Sequence, residues 1–352
     1  MEDRNEFGAE ASGAGATGSH RATKARTRIG LDVGTSKVVT ARGDSTSADS
    51  EAQLNAFFAV PYSSLHESTL QQNRVPFYRE DQELIVYGSA AEKFAHMFNA
   101  DVRRPMAKGI LNPGEAAATH VLETILGALV PVARSPGELL AFSVPAASSE
   151  TGHELTYHEE TLKRYLRERG YTPLAVNEGL AVVLAELAKE SFTGIGVSCG
   201  GGMCNVALSY LSIPSITFSL PQGGDYIDSA VGAVVHEPAT RVKAIKEETL
   251  DLSRPGGDKI DKALHIYYEK LIDSLVEELV RAVTRSPRRP RSDQPLPVVL
   301  AGGTAKPAGF RDQFEKSLRR RALPFQIADV RMASDPLTAT ARGALVAALA
   351  ER

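Results

Sequence analysis

One unit occurs twice in this sequence, and it constrains the fold more than any other feature. Ile29–Thr40 reads as a strand, a tight glycine turn and a second strand, and so does Ile195–Tyr210. Each copy is followed by more strand and then by helical segments. Strand meanders that alternate with helices define an α/β protein. A repeated unit of this kind points to two similar lobes facing each other across a cleft, each offering a glycine hairpin to one ligand. The length of 352 residues fits, being about 2.3 domain-equivalents.

Periodicity fills in the remaining elements. Apolar residues three and four apart predict helices over Glu115–Leu129, Glu159–Arg169 (stopped by Gly170), Glu178–Lys189, Asp225–Val235 and the alanine-rich Leu337–Ala350. Ile260, Leu264, Tyr267, Leu271 and Leu275 form one stripe of a long helix, Asp258–Val283. Strands are expected at 53–62, 83–87, Leu139–Val144, Ile195–Cys199, Asn205–Leu211, Ser215–Leu220 and Leu296–Leu300.

Composition excludes several function classes. With 40 basic and 43 acidic residues and a net charge of −3, nothing calls for a nucleic-acid partner. No stretch approaches the roughly 18 apolar residues of a membrane span. The opening MEDRNEFGAE is acidic with no apolar run behind it, unlike a signal peptide. The expectation is a cytoplasmic protein. Residues 1–28 are rich in Gly, Ala, Ser and Thr, and read as a disordered tail with no amphipathic membrane anchor. Its alternative role is that of a tether for a protein partner. Arg285–Pro297, with four arginines and four prolines, reads as an exposed basic linker. Cys199 and Cys204 flank the second glycine turn, and without a histidine pair nearby they are expected to be a reduced, half-buried pair rather than a zinc site.

Three glycine-bearing loops have the chemistry of a phosphate cradle. In Asp32-Val33-Gly34-Thr35-Ser36-Lys37, Gly34 permits close backbone approach and consecutive N–H groups form an anion nest. Thr35, Ser36 and Lys37 add donors, and Asp32 is placed to hold waters on a magnesium ion. Gly200-Gly201-Gly202 follows the strand of the second copy. Gly302-Gly303-Thr304 follows a third buried strand. Each loop alone also suits a plain tight turn. Three in order through an α/β chain are a stronger signal.

From about residue 28 to 350 the sequence resembles the actin-like ATPases, the superfamily of actin, sugar kinases and heat-shock chaperones. Within it, the chain looks most like bacterial actins of the MreB and magnetosome-filament kind. Nine segments carry the resemblance in chain order: LDVGTSKVV, RRPMAKGIL, FSVPAASSE, NEGLAVVL, VSCGGGMCNVAL, QGGDYIDSAV, RVKAIKEETL, LAGGTAKPAGF and ASDPLTATARGAL.

The resemblance implies two related lobes of the actin-like, ribonuclease H-like type around a nucleotide cleft. The first lobe would span 29–174 and 330–352, with a small subdomain at about 53–102. The second would span 175–329, with a reduced small subdomain at about 225–270. ATP or ADP with Mg2+ would lie between them. Gly34, Thr35, Ser36 and Lys37 would hold phosphates from one side and Gly200, Gly201 and Gly202 from the other. Asp32 would orient magnesium-bound water, and Glu178 falls where the family polarises the attacking water. The alternative reading of Glu178 is a solvent-facing acid in a first helical turn. Lys246 and Glu247 match the ribose and adenine contacts, while Gly302, Gly303 and Thr304 would back the nucleotide. Asp225 reads as a helix cap.

The sequence departs from the family in the second hairpin. Ser198 stands where the family has aspartate, Met203 where it has threonine, and Asn205 where it has an acidic or polar residue. Loss of one positioned group at such a site commonly costs on the order of 10²–10³ in rate. The expectation is a filament-forming, self-associating actin-like protein with weak ATP hydrolysis. A non-hydrolysing scaffold is the alternative. A small-molecule kinase is disfavoured by the lack of a sugar-site motif, and a chaperone by the lack of a peptide-binding domain.

Overall fold

The computed structural model describes residues 28–44, 47–146, 152–286 and 294–351. The readings of the tail and of most of the basic linker fall outside these residues.

The described residues begin with an antiparallel meander of β1 (Ile29–Val33), β2 (Lys37–Gly43) and β3 (Ala48–Leu54). A separate three-stranded sheet follows, built from β4 (Phe57–Pro61), β5 (Phe77–Glu80) and β6 (Glu83–Tyr87) with α1 (Ser64–Gln72) and α2 (Ser89–Phe94). A short hairpin of β7 (Met106–Ala107) and β8 (Ile110–Leu111) leads to α3 (Ala118–Leu129), β9 (Glu138–Val144), α4 (Gly152–Glu168) and β10 (Tyr171–Asn177). After α5 (Glu178–Glu186) a second meander runs through β11 (Gly194–Cys199), β12 (Cys204–Tyr210) and β13 (Ile213–Leu220). Three helices, α6 (Gly224–Val235), α7 (Ala239–Glu248) and α8 (Lys259–Arg285), precede β14 (Leu296–Ala301), α9 (Phe310–Arg319), β15 (Ile327–Met332) and α10 (Ala339–Ala350).

The two large sheets have one topology. Their orders are β10-β9-β1-β2-β3 and β13-β12-β11-β14-β15. In both, the first strand of the meander pairs in parallel with a later strand, which pairs in parallel with the next. The equivalence extends to residues: by sequence and by position in the pairing, Ile-Gly-Leu-Asp-Val-Gly from 29 to 34 corresponds to Ile-Gly-Val-Ser-Cys-Gly from 195 to 200. The repeated hairpin is therefore a duplicated α/β lobe, and Ser198 is the counterpart of Asp32.

The lobes are joined by exchange of their last helices. α5 leaves the first sheet and packs on β11 and β12, while α10 leaves the second and packs on β1 and β9; the two helices also pack on each other. Small residues make this possible. A Cβ on Gly30 would lie 2.1 Å from the Ala341 carbonyl oxygen, and one on Gly196 would lie 2.2 Å from that of Gly179. Glycine at both places lets a helix lie directly on the central strand. Apolar cores fill the outer faces: Leu31, Ile125, Phe142 and Leu166 in the first lobe, Leu264, Leu271, Phe310 and Phe314 in the second. Phe58, Leu70 and Leu84 form a separate cluster under the small sheet.

Several expectations shift. The run 53–62 breaks at Asn55 and Ala56 into β3 and β4, and α4 starts at Gly152 rather than at 159. The helix expected from Glu115 starts at Ala118, and the one expected to reach Lys189 ends at Glu186. β10 and β15 escape the sequence pattern because both are edge strands. An edge tolerates Pro173 and polar Asp329 and Arg331, which blur the apolar signature. Between β13 and β14 the described residues form helices and no strand beyond a single bridge of Asp251 to Ala308, so the small subdomain of the second lobe is reduced.

Candidate functional site

A cleft of about 630 Å³ opens between the lobes. It is lined by residues of all three glycine loops and by Asp32, Glu178, Lys246 and Glu247. Every residue assigned from the sequence thus borders one cavity.

The first hairpin turns at Thr35 and Ser36, closed by the Gly34 N–H donating to the Lys37 carbonyl at 3.0 Å. Asn55 braces it from β3's end: its Nδ2 donates to the Gly34 carbonyl at 2.9 Å and its N–H to that of Ser36 at 3.0 Å. The second hairpin closes in the same way, with the Gly200 N–H donating to the Met203 carbonyl at 2.9 Å. The two tips touch. A Cβ on Gly201 would lie 2.2 Å from Ser36 Oγ, and one on Gly202 would lie 2.3 Å from Thr35 Oγ1. No larger residue allows this approach. The third loop is tied in through Thr304, whose hydroxyl donates to the Gly200 carbonyl at 2.8 Å. Gly302 adopts φ +92°, which favours glycine, and donates to the Pro336 carbonyl at 2.7 Å.

Two carboxyls lie on the cleft floor. Asp32 is the penultimate residue of β1 and accepts from Ser143 Oγ at 2.7 Å; desolvation pushes its pKa up to about 6. Glu178 opens α5, where Asn177 caps the helix by accepting from the Leu180 N–H. Glu178 is buried, so the solvent-facing alternative does not hold. Its Oε2 accepts from Ser198 Oγ at 3.2 Å and from Asn205 Nδ2 at 2.9 Å. Burial, and then the charge of Asp32, push its pKa up to about 8 despite these bonds. Ser198 and Asn205, the residues at which the second hairpin departs from the expected pattern, are therefore donors to Glu178.

Lys246 is buried and paired with Asp228 at 2.7 Å, and also donates to the Gly224 carbonyl at 3.0 Å. Glu247 is exposed at the cleft wall. Asp225 is not a cap: Gly223 holds that position, without a side-chain bond. The Asp225 carboxylate instead receives Arg104 Nη1, 2.7 Å from both oxygens, and Arg104 also reaches Ser36 Oγ at 3.2 Å. A second ion pair between the lobes joins Lys243 of α7 to Glu92 of α2 at 2.9 Å. Cys199 and Cys204 face each other in register, are free, and are fully rather than half buried; the Cys204 thiol is pushed up by its contact with Cys199 and by burial.

Sequence reasoning missed Asn55, Ser143, Arg104, Asp228 and Tyr268. A signal existed for Ser143, the one polar residue in the apolar run of β9. The others depend on contacts between distant segments. Among the described residues no group of three or more His, Cys, Asp or Glu could hold a metal by itself, and no helix is long and apolar enough to cross a membrane.

Known structures with this architecture are numerous. The MamK double helical filament aligns with a TM-score of 0.70 at 19% identity, over 93% of this chain and 100% of that one. MreB5 of Spiroplasma citri bound to AMPPNP aligns at 0.64 and 14% identity, over 91% and 95%. The ethanolamine utilization protein EutJ from Carboxydothermus hydrogenoformans aligns at 0.56 and 17% identity, over 91% and 89%. At these identities the likeness establishes the two-lobed actin-like fold. No curated protein matches in sequence. The Volactin family model matches residues 27–348, and the chain belongs to that family.

Proposed function

We propose that this protein binds ATP or ADP with Mg2+ between its lobes, self-associates into filaments in the cytoplasm, and hydrolyses ATP weakly. The observation that carries the reading is the pair of duplicated glycine hairpins, meeting tip to tip on one cleft with the third glycine loop bonded to them. Residues 29–174 and 330–352 are assigned to the first lobe and 175–329 to the second. A tether for a protein partner remains the alternative role of the tail 1–28. Solved MamK and MreB5 structures that share the fold are described as bound to AMPPNP or ADP, and MamK as a filament.

In this reading Gly34–Lys37 and Gly200–Gly202 present backbone N–H groups to the phosphates, and Gly302–Thr304 with Lys246 and Glu247 hold the nucleoside. The residues fit a magnesium ion. Asp32 supplies an oxygen ligand through water, and two mutually repelling carboxyls on the floor favour a cation beside them. When bound, the ion neutralises phosphate charge. Glu178 then orients the attacking water. Its pKa of about 8 keeps it largely protonated at neutral pH in the free protein, and Ser198 supplies no second carboxylate. Slow turnover follows.

That same observation favours the second reading, a scaffold that binds nucleotide without turnover. Sedimentation with and without Mg–ATP, alongside phosphate release, tests both. Polymer with slow release supports the first reading. Polymer or binding with no release supports the second. Failure to bind any nucleotide overturns both.

A further inference from the structure

At the end of α8 remote from the cleft, Val280, Arg281, Thr284 and Arg285 form a depression of about 350 Å³ together with Glu277 and with Arg321, which follows α9. One aliphatic side chain thus lies among three arginines. The surrounding residues 277–285 and 315–321 carry six arginines and lysines against three glutamates. Arg321 pairs with Glu277 at 2.8 Å, Arg281 with Glu278, and Arg319 with Glu315 at 2.6 Å. An excess of three positive charges is left, with Arg285 and Arg320 exposed. Guanidinium groups fork onto carboxylates and stack on aromatic rings. The depression therefore fits an acidic segment with an aromatic residue in it.

Outside the described residues, Glu2–Glu10 has that chemistry. Glu2, Asp3, Glu6 and Glu10 stand against one Arg4, with Phe7 among them. The segment 287–293 beside the depression holds three arginines and one aspartate, so it would be repelled. Topology puts the root of the tail on the matching side. β1, β11 and β14 each run toward a glycine loop of the cleft, so their first residues lie away from it. The tail enters β1 at Arg28, whose guanidinium donates to the Ala348 carbonyl at 2.8 Å. α8 lines the cleft at Tyr268 and ends on the side from which β14 starts. Between Phe7 and β1 lie the 21 residues 8–28, rich in Gly, Ala, Ser and Thr. A linker of that composition and length spans about 25 Å on average and about 70 Å at full stretch. Such a tether sets an effective concentration on the order of millimolar, enough to populate a weak contact. We propose that Glu2–Glu10 docks in this depression of the same chain, Phe7 against Val280 and the carboxylates against the arginines, so that the tail is held back from any partner. The inference does not depend on nucleotide binding.

The chain contains no tryptophan, so Phe7→Trp installs a single reporter. The test is tryptophan emission from the nucleotide-free full chain, compared with a synthetic peptide of residues 1–12 carrying the same substitution. The full chain is expected to emit to the blue of the peptide, at a wavelength independent of protein concentration. Adding Arg285→Glu and Arg321→Glu turns attraction into repulsion and should lower the docked-to-free ratio about tenfold, returning the emission toward that of the peptide. Glu6→Lys with Glu10→Lys should do the same from the tail, where no folded element is at risk. Emission equal to that of the peptide overturns the inference and leaves the depression to another acidic partner. A blue shift that neither pair of substitutions removes overturns it as well. A shift that grows with protein concentration overturns docking within one chain in favour of a second copy.

Discussion

Replacing Glu178 with glutamine should stabilise the free protein. Glu178 is buried, and its carboxyl holds a proton up to about pH 8, whereas an unfolded chain releases it near 4.5. A carboxyl whose folded pKa is raised contributes its full stability below the unfolded value and loses it as pH climbs toward the folded one. At roughly 1.4 kcal/mol per unit, about 4 kcal/mol has been lost by a pH of about 7.5. Glutamine keeps the shape and an oxygen that accepts from Ser198 and Asn205, but never carries the charge. Glu178→Gln is thus expected to exceed the wild type by about 4 kcal/mol at a pH of about 7.5, with the gap closing toward a pH of about 4.5. Scaled by the unfolding entropy of a chain this long, that is on the order of 6 °C in Tm.

The assay is thermal unfolding of nucleotide-free protein across that pH range. The raised pKa of Asp32 acts in the same direction, so the wild type itself should melt lower at a pH of about 8 than at a pH of about 5.5. The reasoning is refuted if the variant is no more stable than the wild type at neutral pH, or if the gap does not change with pH.

Other outcomes follow from the same geometry. Ser198→Asp places a third carboxyl beside Glu178 and Asp32; it should lower the Tm of the free protein and raise Mg-dependent phosphate release by about tenfold or more, read by a coupled phosphate assay. Gly202→Ala sets a methyl against Thr35 Oγ1 and Gly109 N. It should force the hairpins apart and weaken ATP binding by about tenfold or more, measured by calorimetry with the fold checked by circular dichroism. Arg104→Ala removes the tie between Asp225 and Ser36; nucleotide release in stopped flow should speed up by about two- to fivefold, the range expected of a half-exposed ion pair.

Much of this arrangement was legible in the sequence because it is local. A strand that ends in glycines keeps its period and its turn in a few consecutive residues, so both hairpins and the Gly302–Thr304 loop could be read directly. The same holds for α8, whose apolar stripe is long enough to be unambiguous. What escaped was decided at a distance. Asn55 follows β3 by one residue and looks like an ordinary break residue, yet it braces a turn more than twenty residues earlier. Arg104 and Asp225 lie 121 residues apart. The edge strands β10 and β15 carry polar residues because one side of each faces no neighbouring strand, and periodicity alone cannot tell such a strand from a loop.

The duplication gives the substitution at 198 a physical meaning that the sequence alone did not. Asp32 and Ser198 occupy equivalent places near the ends of the central strands, each two residues before the glycine of its hairpin. Two symmetric aspartates, with Glu178 between them, would put three carboxyls on one desolvated floor. The charge of Asp32 already raises the pKa of Glu178 at the present count. A hydroxyl at 198 and an amide at 205 avoid that repulsion and donate to Glu178 instead, so the free cleft is more stable and the pKa of Glu178 lower than a third carboxyl would leave it. The same two residues that stabilise the empty site are those that withhold negative charge from the loaded one. Under the proposed function, stability without nucleotide and speed of hydrolysis are therefore opposed at these positions, and Ser198→Asp should move both, in opposite directions, in a single variant.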